Sequence, residues 1–171
     1  MHEDVRPAVG ADVPAILELA GALRAELSPM RGGSIWAVRE ARPEPLEAAY
    51  KALVDRTDAR VVVGTIDGTP VGFGVGEVEI LQDGSRLGVV SELFVDPEAR
   101  AVGVGEAMLG SLVDHFASIG CIGVDAFALP GHRAAKNFFE ESGFTARGIL
   151  MHHRLAPGGT GDSGGNPEIQ P

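Results

Sequence analysis

Residues 89–116 read VVSELFVDPEARAVGVGEAMLGSLVDHF, and the order of events along them is strand, glycine loop, helix. Val89, Val90, Leu93, Phe94 and Val95 are β-formers in one short run. Pro97 ends the run, because proline has no N–H to give to a ladder. Met108, Leu109, Leu112, Val113 and Phe116 then recur at spacings of three and four, which is one face of a helix. Gly103 and Gly105 stand between the two elements. A glycine loop at the head of a helix leaves backbone N–H groups unpaired, and it lets an anion come close to the main chain. The positive end of the helix dipole adds to the attraction. The stretch predicts a cradle for a pyrophosphate-type anion. The plain alternative is a strand-to-helix turn relaxed by glycine.

Two well-known phosphate loops do not fit these residues. Gly103-Val-Gly105 lacks the third glycine of the dinucleotide fingerprint, and the acidic residue that should follow a second strand is missing. No Gly-Lys-Ser/Thr occurs, so a nucleoside-triphosphate loop is excluded.

Outward from the cradle the chain is mixed. Asp67-Gly68 and Asp83-Gly84 are turn signals that join residues 60–66, 71–80 and 87–95 into three consecutive antiparallel strands. Gly72, Gly74 and Gly76 read as loosening the middle one. Further back, residues 5–9 predict a first strand, and a helix follows Asp12 through Val13, Ile16, Leu17, Ala20, Leu23 and Leu27. Residues 28–43 are irregular, and helical spacing returns over 44–55. This region predicts a wall for a substrate site, with Trp36 and Tyr50 read as core. Downstream, residues 122–128 predict a strand parallel to its predecessor across a right-handed crossover. A helix over 132–142 stops at Gly143, and 144–146 with 150–155 are expected to close the sheet. The fold class is α/β, an α+β mixed sheet of antiparallel strands followed by a splayed parallel pair, with helices on both faces. One domain spans 1–155, and 156–171, rich in glycine and proline, reads as a disordered tail.

Composition narrows the function. Hydrophobic residues make up 44% of 171, enough for a core. No apolar run approaches the roughly 18 residues of a membrane span, and the N-terminus has no apolar signal region, so a cytoplasmic protein without a membrane partner is expected. A net charge of −10 argues against nucleic acid as a partner. The lone Cys121, among Ile119, Ile122 and Val124, reads as a structural thiol. No cluster has metal-ligand spacing, so no metal is expected.

Arg100-x-x-Gly103-x-Gly105, directly after Leu93-Phe94-Val95-Asp96-Pro97, resembles the pyrophosphate motif of the GNAT N-acetyltransferase superfamily, which binds acetyl-CoA. A second stretch carries the same resemblance. The family's late helix usually reads Asn-x-x-Ala-x-x-x-Tyr-x-x-x-Gly-Phe; here HRAAKNFFEESGF over 132–144 sets His132 at the Asn position, Ala135 at the Ala position and Gly143-Phe144 at the end. The resemblance implies acetyl-CoA as cofactor. Its pantetheine arm would pair with main-chain groups of Leu93, Phe94 and Val95. Its pyrophosphate would lie on the cradle of Arg100, Ala101, Val102, Gly103, Val104, Gly105 and Glu106. His132, Ala135, Phe138 and Phe139 would line the opposite wall. Two departures stand out. Ala101 and Val102 replace the basic residue often found in the loop, and Phe139 replaces the Tyr usually taken to protonate the leaving thiolate; phenylalanine has no proton to give.

Family chemistry is direct attack of an amine on the acetyl thioester. An alkyl ammonium has pKa about 10.4, so a base near the acetyl group is useful. Glu92, on the strand expected to hold the pantetheine, is the candidate catalytic residue, acting through water, with Glu77 and Glu79 as rivals; the plain alternative for Glu92 is a solvated or arginine-paired carboxylate. The expected substrate is a small-molecule primary amine. A protein N-terminus or lysine as acceptor, and a non-catalytic acyl-CoA-binding module, are the alternatives. The resemblance leaves a homodimer open.

Overall fold

The structure, a computed structural model, describes residues 1–157. Five strands form one sheet in sequence order: β1 (Glu3–Pro7), β2 (Ala59–Ile66), β3 (Thr69–Ile80), β4 (Arg86–Val95) and β5 (Cys121–Ala126). The first four pair antiparallel, and β5 runs parallel to β4. The β2–β3 hairpin turns at Asp67 and Gly68, with φ of 48° and 82°. Two successive positive φ values match the right-handed twist of the strands.

The helices are α1 (Val13–Leu27), α2 (Gly33–Arg39), α3 (Leu46–Asp55), α4 (Val104–Ser118) and α5 (Arg133–Glu141). Strand alternation divides the interior into two cores. Val61, Val63, Phe73, Val75 and Phe94 point to one face and pack against α1, α2 and α3. Val62, Val90, Leu93 and Val95 point to the other and pack against α4, with Phe138, Phe139 and Phe144 at its margin. The mixed sheet with helices on both faces agrees with the sequence expectation.

Three expectations need correction. The first is the irregular stretch 28–43, which holds a helix, α2. Gly32, in the left-handed conformation at φ 81°, starts it without any side-chain cap, so the usual entry signal is missing. The second concerns the glycines of β3, which do not loosen it. A Cβ on Gly76 would meet the Phe116 ring at 2.6 Å, and one on Gly88 of β4 would meet it at 2.5 Å. These positions are bare so that α4 can lie close on the sheet. The third is the closing strands at 144–146 and 150–155. Phe144 packs on Phe139, with ring centroids 5.5 Å apart, but the residues after it are exposed and make no strand. Of the expected disordered tail, residues 158–171 lie outside the described residues.

Candidate active site

The site is set by a bulge in β4. Val75 pairs with Glu92 and Gly76 with Val90, so Ser91 is an extra residue on β4. Without it Glu92 would share a face with Val90, beneath α4. With it Glu92 and Phe94 face α1 and α3, while Leu93 and Val95 face α4. The bulge also marks where β4 leaves its parallel neighbour. Pairing with β5 runs from Arg86↔Cys121 to Val90↔Ala126 and ends there, while β4 continues beside β3 as far as Val95↔Gly72. From Ser91 to Val95 the β5 side of β4 is an open edge, with main-chain groups unpaired to β5.

The cradle begins where that edge ends. The Asp96 carboxylate accepts from the Glu98 N–H at 2.9 Å, capping a single 3₁₀ turn over Pro97–Ala99. Ala101 then takes φ 68° and Gly103 φ 90°, which turns the chain into α4. No side chain caps the start of α4, so the N–H groups of Val104, Gly105 and Glu106 have no side-chain acceptor. Val104 itself is buried and anchors the turn. Gly105 lies against Phe138: a Cβ there would sit 3.5 Å from that ring and 3.6 Å from Val95. The two sequence motifs, cradle and late helix, therefore meet.

Arg100 is more committed than the sequence suggests. Its Nε donates to the Val95 carbonyl at 2.9 Å, its Nη2 donates to Glu26 at 2.6 Å, and its guanidinium lies over the Phe94 ring at 5.4 Å. Glu26, from the last turns of α1, also approaches His132 Nε2 at 3.5 Å. One carboxylate thus gathers the cradle arginine and the first residue of the α5 motif. Phe139 stacks against Phe138 at 5.4 Å and against Phe144, at the edge of the core under α4.

On the opposite face Glu92 is held on both oxygens. Tyr50 donates to Oε1 at 2.6 Å, and Arg42 donates to Oε2 from Nε at 2.9 Å. The side chains of Glu92 and Arg42 are 10% and 14% exposed. Burial alone would lower the Arg42 guanidinium, but the charges and hydrogen bonds of Glu92 and Glu77 outweigh it and raise it. Burial, reinforced by the Glu92 carboxylate, pushes the Tyr50 phenol well above its ordinary range, so it stays a donor. Glu77 is shared between Arg42 at 3.3 Å and Arg56 at 3.4 Å, and Glu79 lies at the exposed end of β3. Arg24 donates to the carbonyls of Ala37 and Arg42 and fixes the chain that carries Arg42. The space left among Arg24, Trp36, Arg42, Tyr50 and Glu92 is only about 10 Å³. Residues 28–55 therefore close over Glu92 and do not wall an open pocket. His152 and His153 stand exposed on the C-terminal segment, packed against nothing at the site.

Comparison with known proteins bears on this geometry. The model of the Acetyltransferase (GNAT) family matches residues 23–144, which is most of the chain. This chain belongs to the GNAT acetyltransferase family. Among solved structures, an acetyltransferase of Trypanosoma brucei superposes on this GNAT protein with a TM-score of 0.65 at 23% identity, covering 90% of this chain and 100% of that one. Glucosamine-6-phosphate N-acetyltransferase of Arabidopsis thaliana gives 0.67 at 20% identity, covering 91% and 100%. AAC(6')-Iy, in complex with the bisubstrate analogue CoA-S-monomethyl-acetylneamine, gives 0.70 at 17% identity, covering 91% and 99%. A search of the curated proteins by sequence finds no match. No helix among the described residues is long and apolar enough to cross a membrane.

Sequence reading missed Glu26 and the part of Arg42; Tyr50 lies in the core as expected, but its bond to Glu92 was not foreseen. One signal was available for Tyr50: a buried phenol needs a partner for its O–H, and a strand carboxylate is a natural acceptor.

Proposed function

We infer that this GNAT protein is an acetyl-CoA-dependent N-acetyltransferase acting on a primary amine of a small molecule. The observation that carries the reading is the open β4 edge at residues 91–95, running straight into the uncapped start of α4. The two features fit the two ends of one ligand: main-chain groups for the amides of a pantetheine arm, and uncapped N–H groups for a diphosphate. Leu93, Phe94 and Val95 would hold the arm, and residues 100–106 the diphosphate. Ala135 and Phe138 would close the far side, and His132 with them. Because Arg100 is bound to Val95 and Glu26, its part is to fix the loop, and the backbone carries the anion. The coenzyme, when bound, supplies an acetyl thioester open to attack by an amine.

Glu92 is our candidate for receiving the amine's proton, through water. A carboxylate offers about four acceptor sites, and Tyr50 and Arg42 leave room for another donor. The same two residues would fix its orientation, as a positioned base requires. With Phe139 in place of a Tyr, the thiolate leaves unaided or takes its proton from water; free thiols near pKa 8.5 make that tolerable.

One observation favours a second reading. The 10 Å³ beside Glu92 admits no acceptor, so an amine reaching the β4 edge must come from the surface. A protein N-terminus or lysine would arrive that way. Thiol release from acetyl-CoA, measured against small amines and against peptides, separates the two. The test of the common part is CoA titration by calorimetry on the wild-type chain and on Gly105→Trp. No heat at millimolar CoA would sink the reading.

A further inference from the structure

We propose that Glu3 is a coenzyme-affinity determinant: its carboxylate competes with the diphosphate for the start of α4 and keeps the grip of the cradle loose. The proposal rests on the reading that residues 100–106 hold the diphosphate. Glu3 opens β1, and strand alternation puts it on the same face as Val5, which packs in the core under α4. That face meets the turn before the helix. A Cβ on Gly103 would lie 3.5 Å from Glu3 Oε2, and Gly103, at φ 90°, is the residue from which α4 departs. A negative side chain of β1 thus stands at the positive end of α4.

Among the described residues no base pairs with this carboxylate. Arg6, the nearest arginine along the chain, is paired with Asp12, and Arg100 of the cradle is paired with Glu26. Ala101 and Val102 bring no charge to the loop. Its flanks add acids instead. Asp96 and Glu98 precede it, and Glu106 lies exposed in the first turn of α4. Glu3, Glu26, Asp96, Glu98 and Glu106 therefore accompany the single guanidinium of Arg100, in a chain whose net charge is −10.

Clefts that gather an anion are commonly lined with the opposite charge. Here the lining has the same sign as the ligand, and two forces of different reach act on it. Backbone N–H groups attract the diphosphate at hydrogen-bond distance. Exposed carboxylates repel it from further away, and salt screens that repulsion beyond about 8 Å at 0.15 M. Added salt should therefore tighten coenzyme binding, the reverse of the behaviour of a basic cradle. The consequence for turnover is that spent coenzyme is given back readily, and product release is the step that limits many enzymes.

Calorimetric titration of the full chain with CoA, at about 20 and about 300 mM NaCl, tests this. Wild-type affinity should rise roughly threefold across that range. Glu3→Gln should bind CoA about three- to tenfold more tightly than wild type in low salt, as loss of one unit charge beside a diphosphate implies, and the gap should narrow in high salt. Asp83→Asn makes the same charge change in the β3–β4 turn, at the far end of β4 from the cradle, and should leave the affinity unchanged. Glu3 is exposed on an edge strand, so its variant should keep the wild-type circular dichroism spectrum. A purely structural part for Glu3 predicts the opposite sign, because a weakened β1 or α4 loosens the cradle. CoA binding with no gain in Glu3→Gln, an equal gain in Asp83→Asn, or a wild-type affinity that fails to rise with salt overturns the proposal and leaves the cradle reading standing. No heat from either wild type or Glu3→Gln at millimolar CoA overturns both.

Discussion

Replacing Arg42 by Ala removes the one guanidinium that holds Glu92 from the α2–α3 connection. Both partners are largely out of water, with side chains 14% and 10% exposed, so screening is slight. Loss of one member of such a pair typically costs about 3–5 kcal/mol, because the other charge stays behind. For a chain of this length that corresponds to a fall in Tm on the order of 10 °C. Urea melts followed by circular dichroism, on Arg42→Ala, Glu92→Gln and the double variant, separate the contributions. The double variant should be more stable than Arg42→Ala alone, since it leaves no orphan charge and Tyr50 can still donate to the amide oxygen. A loss below about 1 kcal/mol for Arg42→Ala, or strict additivity in the cycle, would refute the view that this pair is a buried, coupled unit.

Other perturbations follow from the same geometry. Gly88→Ala drives a Cβ to 2.5 Å from the Phe116 ring and should cost about 1–3 kcal/mol in urea melts, with Gly76→Ala behaving alike. Asp12 is held below the usual carboxylate range by its hydrogen bonds from Arg6, against the effect of burial. A depressed folded value means that its stabilisation is complete above about pH 4–5 and is lost as pH falls through that value. Asp12→Asn should therefore weaken the protein at pH 7 and make little difference near pH 2, as urea midpoints across pH will show. Glu26→Gln removes a negative charge beside the cradle, at the cost of a partly exposed pair worth at most about 1 kcal/mol, while Arg100 keeps its bond to the Val95 carbonyl. If the cradle binds the coenzyme's diphosphate, CoA affinity by calorimetry should rise by up to about fivefold, and a fall would contradict that placement.

Local signals carried the strand–cradle–helix stretch and the late helix, because each is written in one unbroken run, residues 89–116 and 132–144. Gly103 at φ 90° is legible for the same reason: a turn of that kind needs glycine where it occurs. The seven residues of α2 were lost because a glycine opens them and no capping residue does. The partners of Glu92 lie 50 and 42 positions away, at Arg42 and Tyr50, and no periodicity couples residues that far apart. The Ser91 bulge is subtler. It adds one residue to one strand, leaves composition untouched, and exchanges the faces of everything after it. The segment after Phe144 shows the reverse case: its pattern is that of a strand, yet it forms none in the structure, because an alternating pattern does not by itself supply an edge to pair with.

The two-sided packing of β4 gives the molecule a division of labour. Val90 and Leu93 answer to the helix that starts at the cradle, while Glu92 and Phe94 answer to the three helices on the opposite side. Variation among α1, α2 and α3 can therefore reshape what approaches Glu92 without retuning the stack of glycine and phenylalanine under α4. A single strand serves as the partition between an adaptable half and a rigid one.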